Sequence, residues 1–245
     1  MRLFTLLLWL LLAPGLASAA DYAREKRWAE EIVPAILVGD PVYLELKSGH
    51  RFLAIYALGP RAKAGVIVVH GLGVHPDWGL INALRSGLAE RGYTTLSVQM
   101  PVLAADARGE QYPPLFPEAA ERLQRAVAFL RGKGYRKVAI VSHSMGARMA
   151  DFFLARGPGA QVDAWVAIGL SGEFLEPGRL SLPVLDLYGE NDFPAVKSNA
   201  EQRAHALRRL RGSAQIELAG ADHFFTGREA ELVRQVRQFL DQKLK

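Results

Sequence analysis

A mostly parallel, doubly wound α/β sheet of about eight strands, led by an antiparallel hairpin, is what this sequence predicts. Short β-branched runs such as Gly65-Val66-Ile67-Val68-Val69 suit strands buried on both faces, as in a parallel sheet between helices. These runs alternate with segments of helical period, at the spacing that parallel crossovers need. The composition agrees: 245 residues, 50% hydrophobic and 22% charged, enough for one buried core and wrong for a disordered or fibrous chain.

Taken in order, Asp21 to Ile32 predicts a short helix halted by Pro34, with Trp28 and Ile32 on one face. Val42 to Leu46 and Arg51 to Tyr56 alternate apolar and polar residues around Ser48-Gly49-His50, a hairpin pattern. Strand Gly65 to Val69 comes next. A helix from Trp78 to Arg91 follows, with Asp77 as N-cap and Gly92 as stop,. Strand Thr94–Val98, helix Pro117–Arg131, strand Lys137–Val141 and a helix from Ser144 to about Leu154 continue the alternation,. Strand Ala164–Leu170, strand Val184–Tyr188, helix Asn199–Leu210, strand Ala214–Leu218 and a helix from about Arg228 complete it,.

The first residues stand apart. Arg2, the apolar run Leu3 to Leu12 and Ala17-Ser18-Ala19 match the charged, hydrophobic and small-residue regions of a secretory signal peptide. The run is about half the length of a membrane span. We therefore expect residues 1–20 to be a signal peptide, and residues 21–245 to be a single exported domain, periplasmic or secreted, with no stable membrane span after cleavage. The chain has no cysteine, so disulfides, thiolate metal sites and a cysteine nucleophile are excluded. The net charge of +5 is spread along the chain and gives no nucleic-acid-binding surface.

Reactive groups in such a sheet gather beyond the carboxyl ends of its strands. Val141-Ser142-His143-Ser144-Met145-Gly146 lies between a buried strand and a helix, the pattern of a nucleophile elbow with Ser142 at the first glycine position. The sharp turn exposes the Oγ of Ser144. A serine hydroxyl needs a base, and His223 follows the last strand at the same edge. That base needs an acid to fix its tautomer. Asp192 follows the preceding strand, with Glu190 in reserve; Asp186 falls inside the strand,. Developing negative charge on the substrate needs donors, for which the Met145 amide and the Leu72 amide in His70-Gly71-Leu72-Gly73 are placed,. His70, Gly71, His75, Trp78 and His143 are the further candidates for the pocket.

These residues carry a resemblance. The His70-Gly71 turn, the Ser142–Gly146 elbow, Gly189 with Asp192, and Asp222-His223 resemble the α/β-hydrolase superfamily across Val42 to Leu244. His75-Pro76-Asp77-Trp78 and Arg91 to Ser97 further resemble a little-characterised exported bacterial branch. The resemblance implies a serine hydrolase acting on a small-molecule ester through an acyl-enzyme intermediate, without cofactor or metal. The short Ser171–Leu182 connection implies that no large lid is inserted there. A non-catalytic exported binding protein on the same scaffold is the alternative.

Other chemistries fail on spacing. Pro76 occupies the third glycine position of a dinucleotide loop after Gly71 and Gly73, and no phosphate-loop motif occurs,. The six histidines, at 50, 70, 75, 143, 205 and 223, have no metal-ligand spacing. Arg203, Arg208, Arg209 and Arg211 read as a solvated helix face.

Overall fold

The computed structural model of the chain describes residues 20–60, 62, 64–156 and 161–244; the expected signal peptide falls almost wholly outside them. Helix α1 (Tyr22–Ile32) is capped by the Asp21 side chain, which accepts the Arg24 amide. The hairpin β1 (Asp40–Glu45) and β2 (Arg51–Ala57) follows. Beyond it come β3 (Gly65–Val69), α2 (Gly79–Glu90), β4 (Thr94–Val98) and α3 (Phe116–Gly132). Next are β5 (Val138–His143), α4 (Met145–Leu154), β6 (Ala164–Ile168) and β7 (Val184–Asn191). The one-turn α5 (Pro194–Lys197), α6 (Ala200–Leu207), β8 (Ala214–Asp222) and α7 (Glu229–Lys243) complete the order.

The eight strands form one sheet in the order β1-β2-β4-β3-β5-β6-β7-β8. β2 runs antiparallel to both β1 and β4, and every later pairing is parallel. This is the predicted class. The continuous apolar strands have the predicted cause: Ile67 and Val69 join the core under α3 and α4, whereas Val66 and Val68 join the core under α2 and α7. Both faces of β3 are covered, so both of its alternating sets of side chains are apolar,. Each such side chain contributes about 1.5–3 kcal/mol on burial.

Three local expectations are corrected. Asp77 does not cap α2; Trp78 occupies that position without a side-chain bond. The Asp77 carboxylate instead accepts from Arg85 Nε at 2.6 Å and Asn82 Nδ2 at 2.7 Å, because the fully buried Arg85 requires an anion. Arg203 is not on the solvated face with Arg208, Arg209 and Arg211. It is fully buried and pairs with Asp186 at 2.8 Å, while also donating to the carbonyls of Gly172 and Val196. Finally, β7 and β8 run past Tyr188 and Leu218, because an irregularity between Gly189 and Asn191 lets the pair resume at Asn191 and Asp222,. That continuation brings the residues after β7 beside those after β8.

Candidate active site

Ser144 sits between β5 and α4 with φ 56° and ψ −122°, a strained conformation for a residue with a Cβ. Its amide donates to the Ile168 carbonyl at 2.8 Å, and its carbonyl accepts from Ala147 and Arg148, so the turn is held on both sides. Close packing fixes which neighbours must be small. A Cβ on Gly146 would lie 2.2 Å from the His70 carbonyl oxygen, and one on Gly71 would lie 3.1 Å from the Ser144 Cβ. Ser142 is accommodated: its Oγ accepts from Trp165 Nε1 at 2.8 Å and donates to the Val166 carbonyl at 3.3 Å. The elbow therefore forms with serine at the first glycine position.

The three chemistry-bearing side chains predicted from the strand ends come together. Ser144 Oγ lies 2.9 Å from His223 Nε2, and His223 Nδ1 lies 2.5 Å from Asp192 Oδ1. Asp192 is oriented in turn by the amides of Phe193 at 2.7 Å and Gly189 at 3.3 Å. An ionised carboxylate only accepts, so His223 carries its proton on Nδ1 and leaves Nε2 to accept from the serine hydroxyl. The loop bearing His223 is fixed by Asp222, whose carboxylate accepts the amides of Phe224 and Thr226. Gly169, with φ +58°, makes room for the imidazole: a Cβ there would stand 2.9 Å from His223 Cε1. Glu190 accepts the Gly220 amide instead, and Asp186 is committed to Arg203.

Around Ser144 and His223 lies a cleft of about 150 Å³. Gly71, Leu72, Trp78 and His143 line it, as expected; Val74, Phe193 and Phe224 are wall residues that the sequence did not single out. Phe193 stacks on His223 at 4.2 Å and 27°, and Phe224 meets Trp78 edge to face at 5.6 Å. The Met145 amide opens α4, where the first amides of a helix have no partner within it. Leu72 follows the glycine that packs on Ser144.

Two pocket candidates are elsewhere. His70 is buried and braces the loop behind the cleft, donating through Nδ1 to the Gly71 carbonyl at 2.9 Å and accepting the Met100 amide at Nε2 at 2.8 Å. Burial lowers its pKa to about 3. His75 is half-buried, accepts the Asp77 amide and tilts against Trp28. His143 does reach the cleft, but its Nε2 donates to the backbone carbonyl of His223 at 2.9 Å, holding the loop in place. Burial, first, and the neighbouring His223 lower its pKa to about 4. Arg24 of α1 donates to the carbonyls of Leu103 and Gly73, tying the first helix to the glycine loop.

Among the described residues, no group of three or more His, Cys, Asp or Glu is arranged to hold a metal ion. Nor is any helix there long and apolar enough to cross a membrane.

A protein-family model matches residues 104–242, more than half of the chain and most of the site-bearing strands. The chain belongs to the DUF3530 family. That family is described as protein of unknown function. No curated protein matches the chain significantly. Solved structures match this DUF3530 chain over most of its length. A dienelactone hydrolase from Anabaena variabilis is 19% identical, with a TM-score of 0.69, over 84% of this chain and 97% of that one. The esterase Pf2001 from Pyrococcus furiosus is 13% identical with a TM-score of 0.69, over 84% and 93%. XC6422 from Xanthomonas campestris, a serine hydrolase without a lid, is 13% identical with a TM-score of 0.64, over 84% and 95%. At such identities the likeness is one of fold. The DUF3530 chain has the α/β-hydrolase fold without a lid, as the short β6–β7 connection predicts.

Proposed function

We infer that the chain is a serine hydrolase of carboxylic esters, working without cofactor or metal. The observation that carries this reading is the unbroken relay from Ser144 Oγ through His223 to Asp192, at 2.9 Å and 2.5 Å, opening into a cleft. Ser144 Oγ attacks the ester carbonyl while His223 Nε2 takes its proton, and Asp192 stabilises the resulting imidazolium. The amides of Leu72 and Met145 receive the oxyanion, a contribution of roughly 3–4 kcal/mol per donor in comparable sites. Collapse breaks the ester C–O bond, and His223 returns the proton to the departing alcohol. Water then attacks the acyl-Ser144 by the same route and releases the carboxylic acid. We also propose that residues 1–20 are removed on export and that the mature chain acts in the periplasm or outside the cell. The leader pattern of Arg2, the Leu3–Leu12 run and Ala17-Ser18-Ala19 supports this.

A fluorophosphonate probe should label the protein at Ser144, located by mass spectrometry, and the protein should hydrolyse p-nitrophenyl acetate. Ser144→Ala and His223→Ala should each lower kcat by at least about 1,000-fold. Unchanged turnover in both variants, or labelling at another residue, would overturn the reading.

A further inference from the structure

The geometry points to a substrate class: uncharged esters of short acyl chains, with the acyl group seated against Trp78 and the alcohol departing across Phe193. The inference deepens the hydrolase reading and rests on it.

Size is the first argument. The cleft at Ser144 holds about 150 Å³, well below the roughly 300–1,000 Å³ of sites that enclose drug-sized ligands. A larger hollow of about 830 Å³, beside α6 and the β6–β7 connection, shares no lining residue with it. The cleft itself therefore encloses only a short chain attached to Ser144.

Charge is the second. The cleft wall contains no Asp, Glu, Lys or Arg. Of its two imidazoles, His143 spends its Nε2 proton on the His223 carbonyl, and burial keeps it neutral. His223 must keep Nε2 open to the serine hydroxyl. The carboxylate beside His223 is that of Asp192, already engaged by His223, Gly189 and Phe193. A substrate carboxylate would thus lose water, find no cation and face a negative group.

Direction is the third. The departing oxygen takes its proton from His223 Nε2, so the alcohol lies on the His223 side. There Phe193 stacks on the imidazole and is 50% exposed, with Phe224 42% exposed beside it, an open apolar ramp suited to an uncharged leaving group. Val74 and Trp78 complete the apolar lining, and Trp78 meets Phe224 edge to face. With Phe193 assigned to the alcohol, the acyl chain is assigned to Val74 and Trp78, where the indole limits its length.

The test uses the full chain with p-nitrophenyl acetate, butyrate, octanoate and palmitate. A matched pair is added, the p-nitrophenyl ester of monomethyl succinate and the ionised p-nitrophenyl hemisuccinate. We expect kcat/KM to peak at acetate or butyrate and to fall at least about tenfold by octanoate. The ionised hemisuccinate should run about 100-fold below its methyl ester. Trp78→Ala should move the optimum towards octanoate and leave the charge discrimination intact. Trp78→Leu provides the same reading should the alanine variant fail to fold. A wild-type optimum at octanoate or palmitate, equal turnover of the charged and neutral pair, or an unmoved optimum in folded Trp78 variants overturns the inference. Fluorophosphonate labelling separates the two levels: failure to label Ser144 removes the hydrolase reading and this one together. Normal labelling with a long-chain or charge-tolerant profile removes this one alone.

Discussion

Replacing Gly169 by alanine tests whether the relay is as tightly built as its distances indicate. The added Cβ would stand 2.9 Å from His223 Cε1 and 3.1 Å from Nδ1. Carbon–carbon contact is comfortable from about 3.5 Å, so the imidazole must retreat by roughly 0.6 Å. That retreat cannot preserve both the 2.9 Å bond to Ser144 and the 2.5 Å bond to Asp192. Misplacement of about 1 Å in a reacting group costs about 100-fold, so kcat/KM should fall by about 10- to 100-fold. The φ of +58° adds about 1–2 kcal/mol of backbone strain in alanine, a fall of roughly 2–8 °C in Tm for a domain of this size. The variant should thus be folded at 25 °C and slow. Hydrolysis of p-nitrophenyl acetate and the fluorophosphonate labelling rate measure the first effect, and a thermal melt measures the second. Gly132→Ala is the control, since a Cβ there meets nothing within 4 Å. A Gly169→Ala variant that is folded and within twofold of the parent rate would refute the reasoning.

Two further outcomes follow from buried charge. Arg203→Ala strands the buried Asp186, whose carboxyl burial already pushes its pKa upward; urea unfolding should show a loss of about 3–5 kcal/mol, with the Asp186→Asn/Arg203→Leu pair losing less. His143 is held neutral, its pKa lowered from 6.5 to about 4. The unfolded chain therefore binds a proton there that the folded chain refuses. Stability is lost as pH falls from about 6.5 towards 4, by up to about 3 kcal/mol. His143→Gln, which keeps a donor for the His223 carbonyl, should flatten that part of the unfolding-versus-pH curve.

The parallel sheet was legible because both its faces are buried, which turns β3 into an unbroken apolar run with sharp ends. The relay was legible because Ser144, Asp192 and His223 each follow a predicted strand, and parallel strands place their carboxyl ends at one edge. Other features depend on partners that no local pattern names. The two strands are expected to end at Tyr188 and Leu218, yet β7 and β8 continue beyond them by pairing with each other. Arg203 has the spacing of an exposed helical residue; the hint to its burial was Asp186, an anion inside an apolar strand that needed a cation. His70 lies next to the site in sequence, but its ring turns back to bind Met100. Gly169 carried no signal, since only the folded position of His223 makes a side chain there intolerable. Phe193 and Phe224 were readable only as apolar residues, out of place in turn-rich loops directly after Asp192 and His223.

The bond from Arg24 to the Gly73 carbonyl means that the loop facing Ser144 is steadied from a helix far upstream of it in the chain. The imidazole, by contrast, is delivered from a strand end far downstream of it. The relay therefore closes only when segments from both sides of the elbow have packed around it.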